Sequence, residues 1–171
     1  MKIKTKFFGE IDIKDEKIFL FPYGIYGFEE FNRFVLLHDE EYEEENETVF
    51  RFLQCADDEH LCFTVMDPDY IKPGYNPKLP ENAIKKLGIF NGDDIAYLVI
   101  AVIGENLEES TANMQGPIVI NSKNRLGAQV ILEASEPENA DYKIKHKIFG
   151  AHKSEEFAEE GSAPLYAHNK P

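Results

Sequence analysis

Carboxylates are the residues of this 171-residue chain that occur densely enough to suggest chemistry. Positions 39–47 hold seven acids in nine residues, and Asp67 and Asp69 stand close together further along. Acid–base catalysis by two carboxylates requires different environments, one of them apolar enough to raise a pKa. The run 39–47 offers no such contrast, because its neighbours are charged too. It indicates a docking patch for a basic surface or, the interpretation we favour, a solvated loop extended by its own repulsion.

Metal ligands and reactive thiols are sparse. No two of the five histidines have the spacing of a zinc site, and His60 is expected to face solvent. Cys55 and Cys62 flank residues 57–60, so a hairpin there would place them opposite each other on adjacent strands. In a reducing compartment two small buried thiols are favoured over a disulfide. With no phosphate loop, nucleophile elbow or dinucleotide fingerprint, the sequence predicts neither a cofactor nor a metal.

Residues 21–29 are the most distinctive segment. Gly24 and Gly27 stand three apart, Pro22 has a fixed φ, and aromatic residues flank all three. This composition predicts a rigid, shaped loop between short strands. Because it contains no nucleophile or ligand set, it favours a surface that holds another macromolecule.

Residues 67–77 form an irregular segment that three prolines stiffen before any partner arrives. Tyr70 and Tyr75 are amphipathic anchors of the kind enriched at interfaces. The alternative, which the spacing favours, is that these tyrosines cap one end of a barrel.

Residues 111–121 begin with turn-prone polar residues and end in an apolar strand. Asn113 and Asn121 are expected to bond the backbone at the strand ends. Met114 offers an adaptable apolar contact, to the core or to a partner.

Short strand-like segments separated by turns dominate the chain, which predicts an all-β, mainly antiparallel, β-barrel-like domain with one or two short helices. The run 95–103 lacks alternation and should be a central strand covered on both faces. A helix is expected over 80–88, and one more turn over 28–31. The strand segments are 2–8, 11–13, 18–21, 33–37, 49–53, 61–66, 95–103, 117–120, 128–132 and 142–148.

The formal net charge of −14 argues against a surface for DNA or RNA and suits a basic partner, although many cytoplasmic proteins are simply acidic. The longest apolar run has nine residues, far short of the ~20 of a membrane helix, and the opening alternation lacks the apolar core expected of a signal peptide. We therefore expect a soluble cytoplasmic protein. Residues 1–150 should form the domain, and the polar residues 151–171 a flexible acidic tail.

These segments together resemble the bacterial flagellar assembly factor FliW family. The Phe-Pro-x-Gly-Ile-x-Gly-Phe-Glu segment at 21–29 and the Asn-x-x-x-Pro-Ile-Val-Ile-Asn segment at 113–121 are specific when found together. Further matches, in the same order, are 5–9, 52–54, 67–68, Tyr75 and 127–132. The chain departs from the family in Gly116, where alanine is expected, and in its tail, which has no counterpart.

The resemblance implies a cytoplasmic β-barrel without catalysis, monomeric, with two protein partners and no bound nucleic acid or membrane. One partner is flagellin, held before export. The other is CsrA, an RNA-binding repressor of flagellin translation. While flagellin is scarce the factor binds CsrA and relieves repression; when flagellin accumulates it occupies the factor and releases CsrA.

Neither the residues nor the family resemblance shows which surface binds which partner. Two alternatives remain: a structural flagellar component, and a hydrolase using carboxylates such as Asp67 and Asp69. The candidate partner-binding residues are Phe21, Pro22, Ile25, Phe28, Glu29, Asp67, Tyr70, Tyr75, Asn113, Met114 and Pro117.

Overall fold

The computed structural model describes residues 1–38, 49–90 and 94–149. These ranges contain eleven strands and one short α-helix, α1 (Glu81–Lys86). The strands are β1 (Lys2–Thr5), β2 (Gly9–Asp12), β3 (Ile18–Leu20), β4 (Arg33–Leu37), β5 (Phe50–Cys55), β6 (Cys62–Met66), β7 (Ile95–Val102), β8 (Thr111–Ala112), β9 (Ile118–Asn121), β10 (Leu126–Gln129) and β11 (His146–Lys147).

Seven strands close into a barrel in the order β3-β4-β5-β6-β7-β9-β10. Strand β10 returns to β3 through the one parallel pairing of the ring, at Leu20 and Leu126, while the other ring pairings are antiparallel. Strands β8 and β11 extend the sheet beside β7, and β1 and β2 form a separate hairpin. The expected all-β, mainly antiparallel barrel is confirmed.

Buried aromatic and aliphatic side chains form two large hydrophobic clusters that include residues of the barrel strands. Phe21 and Phe34 are fully buried, with ring centroids 5.0 Å apart. The ring of Phe21 lies so close over Gly127 that a Cβ at Gly127 would sit 2.5 Å from it. An aromatic ring from the end of β3 thus occupies the space that a side chain on β10 would need.

One buried amide joins the N-terminal hairpin to the barrel. The Oε1 atom of Gln54 accepts the Lys6 N–H at 3.0 Å. Its Nε2 atom donates to the carbonyls of Cys55, Asp58 and Leu61 at 3.0–3.1 Å. Because an unpaired buried amide is costly, these contacts fix both the hairpin and the 57–61 loop around Gln54.

Several strand expectations need correction. Strand β10 begins at Leu126 rather than 128, because the Phe21 ring compensates for the missing side chain of Gly127. Strand β8 was not expected, and β11 covers only two residues of the segment 142–148. The middle of β7 is buried, but Val102 near its end is 66% exposed, so full cover on both faces is wrong.

The helix expectation is confirmed. Pro80 precedes α1, Glu81 lies in the first turn, and Lys85 and Lys86 lie in the last. These charges complement the helix dipole. Gly88 follows with φ +60° and ends the helix. The expected turn at 28–31 is present as a hydrogen bond from the Phe31 N–H to the Phe28 carbonyl, 3.2 Å.

The two cysteines are free, as expected, but they do not face each other. Cys62 pairs with Gln54, while Cys55 pairs with Phe34 on the other neighbouring strand. The register therefore differs by one residue from the expected one. Burial raises the pKa of both thiols, that of Cys62 to about 12, so both remain protonated at neutral pH.

Two sequence expectations, the acidic run 39–47 and the tail 151–171, lie outside the described residues and remain predictions. His60 is confirmed as exposed. Within the described ranges, no helix has the length and apolar character needed to cross a membrane.

The glycines of the 21–29 loop generate a first prediction. Both Gly24 and Gly27 have positive φ, +63° and +86°, but a Cβ at Gly24 would lie 2.5 Å from the Glu29 Cα, whereas nothing lies within 4 Å at Gly27. We expect Gly24→Ala to lower the free energy of unfolding by about 3 kcal/mol and Gly27→Ala by about 1 kcal/mol. Urea unfolding measures both, and equal losses would contradict the packing difference.

Candidate partner-binding groove

A groove of about 720 Å³ opens between three parts of the chain: the loop 21–29, helix α1 and the residues that follow β10. The residues that line it come from positions as distant in sequence as Tyr23 and Glu136. Its walls are therefore brought together only by barrel closure. We call it the barrel groove.

Buried side chains support the wall of the groove that the loop 21–29 forms. Phe21 and Ile25 are almost fully buried and anchor the loop in the barrel. The Gly24 N–H donates to the Phe21 carbonyl at 2.9 Å, and the Phe28 N–H donates to the Ile25 carbonyl at 2.7 Å. The loop is thus pre-organised, which lowers the conformational entropy lost when a partner binds.

A glutamine fastens this loop to the barrel. The Oε1 atom of Gln129 accepts the Tyr26 N–H at 3.2 Å, and its Nε2 atom donates to the Gly116 carbonyl at 3.2 Å. The Glu29 carboxylate accepts the Gly27 N–H at 2.9 Å, and this bond lowers the pKa of Glu29. Glu29 therefore stays ionised at the groove.

The opposite wall is clamped by a buried asparagine. Asn139 accepts the Lys78 N–H at 2.9 Å and donates to the carbonyls of Lys78 and Glu133 at 3.0 and 3.2 Å. The Lys78 ammonium lies 2.7 Å from the Glu136 carboxylate, and that hydrogen bond raises the pKa of Lys78. Backbone and side chain of Lys78 are both fixed.

The open surface of the groove is aromatic, aliphatic and acidic. Tyr23, Tyr26 and Ile131 are 57%, 61% and 48% exposed. The Lys86 ammonium sits 4.3 Å from the centroid of the Tyr23 ring. Four carboxylates and two lysines line the site: Glu29, Glu81, Glu133, Glu136, Lys78 and Lys86. Exposed tyrosines inside an acidic rim suit a protein segment that carries basic and apolar side chains.

The structure separates the expected loop residues by depth. Pro22, Phe28 and Glu29 are exposed, and Glu29 lines the groove. Phe21 and Ile25 are buried and support the loop instead of presenting a surface. The exposed three remain candidates for direct contact.

The expected residues at 113–117 are mostly interior. Met114 and Pro117 are buried, and the Oδ1 atom of Asn113 accepts the Gly116 N–H at 2.9 Å in a turn. A Cβ at Gly116 would lie 2.8 Å from the Asn113 amide, so glycine suits this turn.

Tyr75 occupies a position that fits the barrel-cap interpretation. It is 6% exposed, its hydroxyl donates to the Met114 carbonyl at 2.8 Å, and its ring packs on Tyr97 and Tyr142. Burial raises the pKa of Tyr75, so the hydroxyl keeps its proton and remains a donor. Tyr70 is half-buried against the same cluster.

Asp67 and Asp69 act on the backbone. Asp67 accepts the Asp69 N–H at 2.9 Å and caps a 3₁₀ turn over Pro68–Tyr70. Asp69 accepts the Tyr75 N–H at 2.8 Å. Both carboxylates are exposed, so neither has the apolar environment that the hydrolase alternative requires. Across the described residues, no three histidine, cysteine or acidic side chains converge as a metal site would need.

Sequence reasoning missed most of the groove. Tyr23 and Tyr26 alternate with the glycines of the predicted loop, which was a usable signal. Lys86, Gln129 and Ile131 carried no local signal, because only tertiary packing brings them beside the loop.

These features define the chain as a closed, mostly antiparallel β-barrel protein with a pre-organised groove of peptide size. The chain belongs to the FliW family: the family model described as FliW protein matches residues 2–148.

Relatives and a solved structure agree with this assignment. The flagellar assembly factor FliW of Geobacillus sp. (strain WCH70) is 41% identical over 149 residues, 87% of this chain and 96% of that protein. The flagellar assembly factor FliW of Alkaliphilus metalliredigens (strain QYMF) is 35% identical over 148 residues, 86% of each chain. A crystal structure of the flagellar assembly factor FliW, 38% identical, matches with a TM-score of 0.75 over 88% of this chain and 98% of its own.

The position of Tyr75 generates a second prediction. Replacing Tyr75→Phe removes only the hydroxyl and leaves the buried Met114 carbonyl without this donor, so we expect a loss of about 1–3 kcal/mol in the free energy of unfolding. Tyr26→Phe removes a hydroxyl from a side chain that is 61% exposed and should change stability by less than about 0.5 kcal/mol. Urea unfolding compares the two variants, and similar values would place the Tyr75 hydroxyl outside the core network.

Proposed function

We propose that this chain is a regulatory binding protein with two partners, the repressor CsrA and flagellin. Membership of the FliW family and similarity to flagellar assembly factors support a role in flagellar assembly. Binding CsrA relieves repression of flagellin translation while flagellin is scarce. Binding accumulated flagellin then frees CsrA to repress again, so translation of flagellin falls as its level in the cytoplasm rises.

The observation that carries the proposal is the barrel groove, with its acidic rim and exposed tyrosines. An RNA-binding protein carries positive charge to neutralise phosphates, so an acidic groove on a chain of net charge −14 complements it. Charge complementarity speeds encounter, and buried aromatic contacts supply most of the affinity. The role we propose is one of binding: Asp67 and Asp69, the acids of the hydrolase alternative, accept backbone N–H groups, and Glu29 lines the groove.

Like-charge repulsion is the mechanism we propose for antagonism. An acidic protein seated on CsrA would repel RNA without occupying the RNA site. Mobile ions screen charges beyond about 8 Å at physiological ionic strength, and closer still in higher salt.

The repulsion mechanism generates a third prediction. The loss of CsrA–RNA affinity caused by this protein should shrink as salt rises from low to high concentration. Electrophoretic mobility shift at a series of salt concentrations measures it, with CsrA saturated by this protein at every step. An effect that stays constant across the series would favour direct or conformational blockade.

Size-exclusion chromatography tests the function itself. The purified chain is mixed with CsrA, and the complex is then challenged with flagellin. Co-elution with CsrA followed by its displacement is the expected result. Absence of any complex with either protein would overturn the proposal, and incorporation into filaments without CsrA binding would favour a structural component.

The groove generates a fourth prediction. Tyr26→Ala removes an exposed aromatic ring from the groove but leaves the backbone bond from Tyr26 to Gln129 intact, so the fold should survive. We expect affinity for at least one partner to fall by about tenfold or more, as for other aromatic anchors. Calorimetry with each partner identifies which one uses the groove.

Phe90→Ala is the matched control, because Phe90 is an aromatic residue that is 86% exposed and does not line the groove. It should bind both partners as the parent does. If Tyr26→Ala also binds both partners at parental affinity, the groove is not the contact surface.

A further inference from the structure

We propose that a second surface, separate in charge from the barrel groove, binds an acidic segment of a partner protein. This surface comprises Lys143, Lys145 and Lys147, the exposed Ile144 that lies between them in sequence, and Lys72, whose ammonium lies 6.0 Å from the centroid of the adjoining Tyr142 ring. We call it the basic strip. It goes beyond the proposed function, because an acidic groove and a basic strip recognise segments of opposite charge.

The strip is an exception to the charge of the chain. Acidic residues outnumber Lys and Arg by 32 to 18, yet residues 143–147 hold three lysines and a histidine with no acid. The three lysines are exposed, and Ile144 between them is 61% exposed.

Several lysines elsewhere on the surface lie within 4.0 Å of a carboxylate. Lys2 lies 3.5 Å from Glu10, Lys78 lies 2.7 Å from Glu136, and Lys85 lies 3.1 Å from Glu81. Among the residues that the structure describes, no carboxylate is within 4.0 Å of a strip lysine. The strip is therefore a concentration of positive charge that the described part of the chain does not neutralise.

The pKa of the neighbouring His146 imidazole reflects its burial and the positive charge of the strip. His146 is half-buried, and burial lowers its pKa; the positive charges of Lys72 and Lys143 lower the pKa further. Lys72 and Lys143 thus act on the same imidazole although they come from different parts of the sequence. A carboxylate brought to the strip would relieve this repulsion.

The backbone under the strip is fixed before binding. The Lys143 carbonyl accepts the Met114 N–H at 2.9 Å, and the Ile148 N–H donates to the Ser110 carbonyl at 3.1 Å. Between these points, His146 and Lys147 pair with β8. The Lys72 ammonium lies 6.0 Å from the centroid of the Tyr142 ring. Such a scaffold reduces the ordering cost of association.

Two observations favour a protein segment over RNA. The whole chain carries −14 charges, which repel a polyanion strongly at long range. The nearby aromatic ring, that of Tyr142, is packed 4.5 Å from Tyr75 and is covered by Lys72, so it is not a free platform for base stacking. Ile144 instead offers an apolar contact to a side chain among the carboxylates of a partner.

Fluorescence anisotropy with the full chain tests the proposal. The probe is a short fluorescein-labelled peptide in which glutamates surround one leucine, and a peptide with glutamines in place of the glutamates is its control. We expect binding of the acidic peptide alone, weakening as salt rises. The triple variant Lys143→Gln, Lys145→Gln, Lys147→Gln should bind about tenfold more weakly, because three exposed ion pairs are lost.

A matched variant, Lys2→Gln, Lys14→Gln, Lys17→Gln, removes the same charge from the N-terminal region and should keep parental affinity. Thermal unfolding verifies that both variants are folded. Equal weakening in both variants, or no binding of the acidic peptide, would overturn the proposal. So would a single-stranded RNA that binds the strip more tightly than the peptide. None of these outcomes bears on the groove, which the fourth prediction tests separately with CsrA and flagellin.

Discussion

Closure of the barrel between β3 and β10 is the constraint on which the rest of the structure depends. Leu20 lies opposite Leu126, and the Leu20 N–H donates to the Arg125 carbonyl at 2.9 Å. The next residue, Phe21, turns its ring over Gly127, a position that has no room for a side chain. The loop that forms one wall of the groove starts from this anchored ring. The groove therefore exists only because the ends of the barrel meet.

Buried amides then fix the irregular segments that closure leaves on the outside. Gln54 orders the loop beside it and holds the N-terminal hairpin, and Asn139 clamps Lys78 on the far wall of the groove. Asn121 donates to the carbonyls of Leu87 and Gly88 and so ties the end of α1 to β9. Because these amides satisfy most of their hydrogen-bonding capacity within the protein, each loop has one favoured shape.

Local patterns were enough to predict most strands, the helix and the rigid loop, because alternation, proline and glycine act over a few residues. They were not enough for β10, whose first residues include a glycine that is acceptable only beneath the Phe21 ring. The groove was out of reach for the same reason: Tyr26 and Gln129 are 103 positions apart, and their hydrogen bond needs the closed barrel. Some residues predicted from the sequence to contact a partner, such as Phe21 and Tyr75, are buried instead. An aromatic residue in a distinctive motif serves packing as readily as binding.

The parallel pairing of β3 with β10 also affects how the chain folds. It joins Leu20 to Leu126, so about three quarters of the polypeptide must be synthesised before the barrel can close. Until then β3 presents an edge without its final neighbour, and such edges invite pairing with other chains. A contact this distant in sequence also slows folding, because loop entropy is lost before the contact forms. Slow pairing of β3 with β10 therefore lengthens the time during which the edge of β3 is open to other chains.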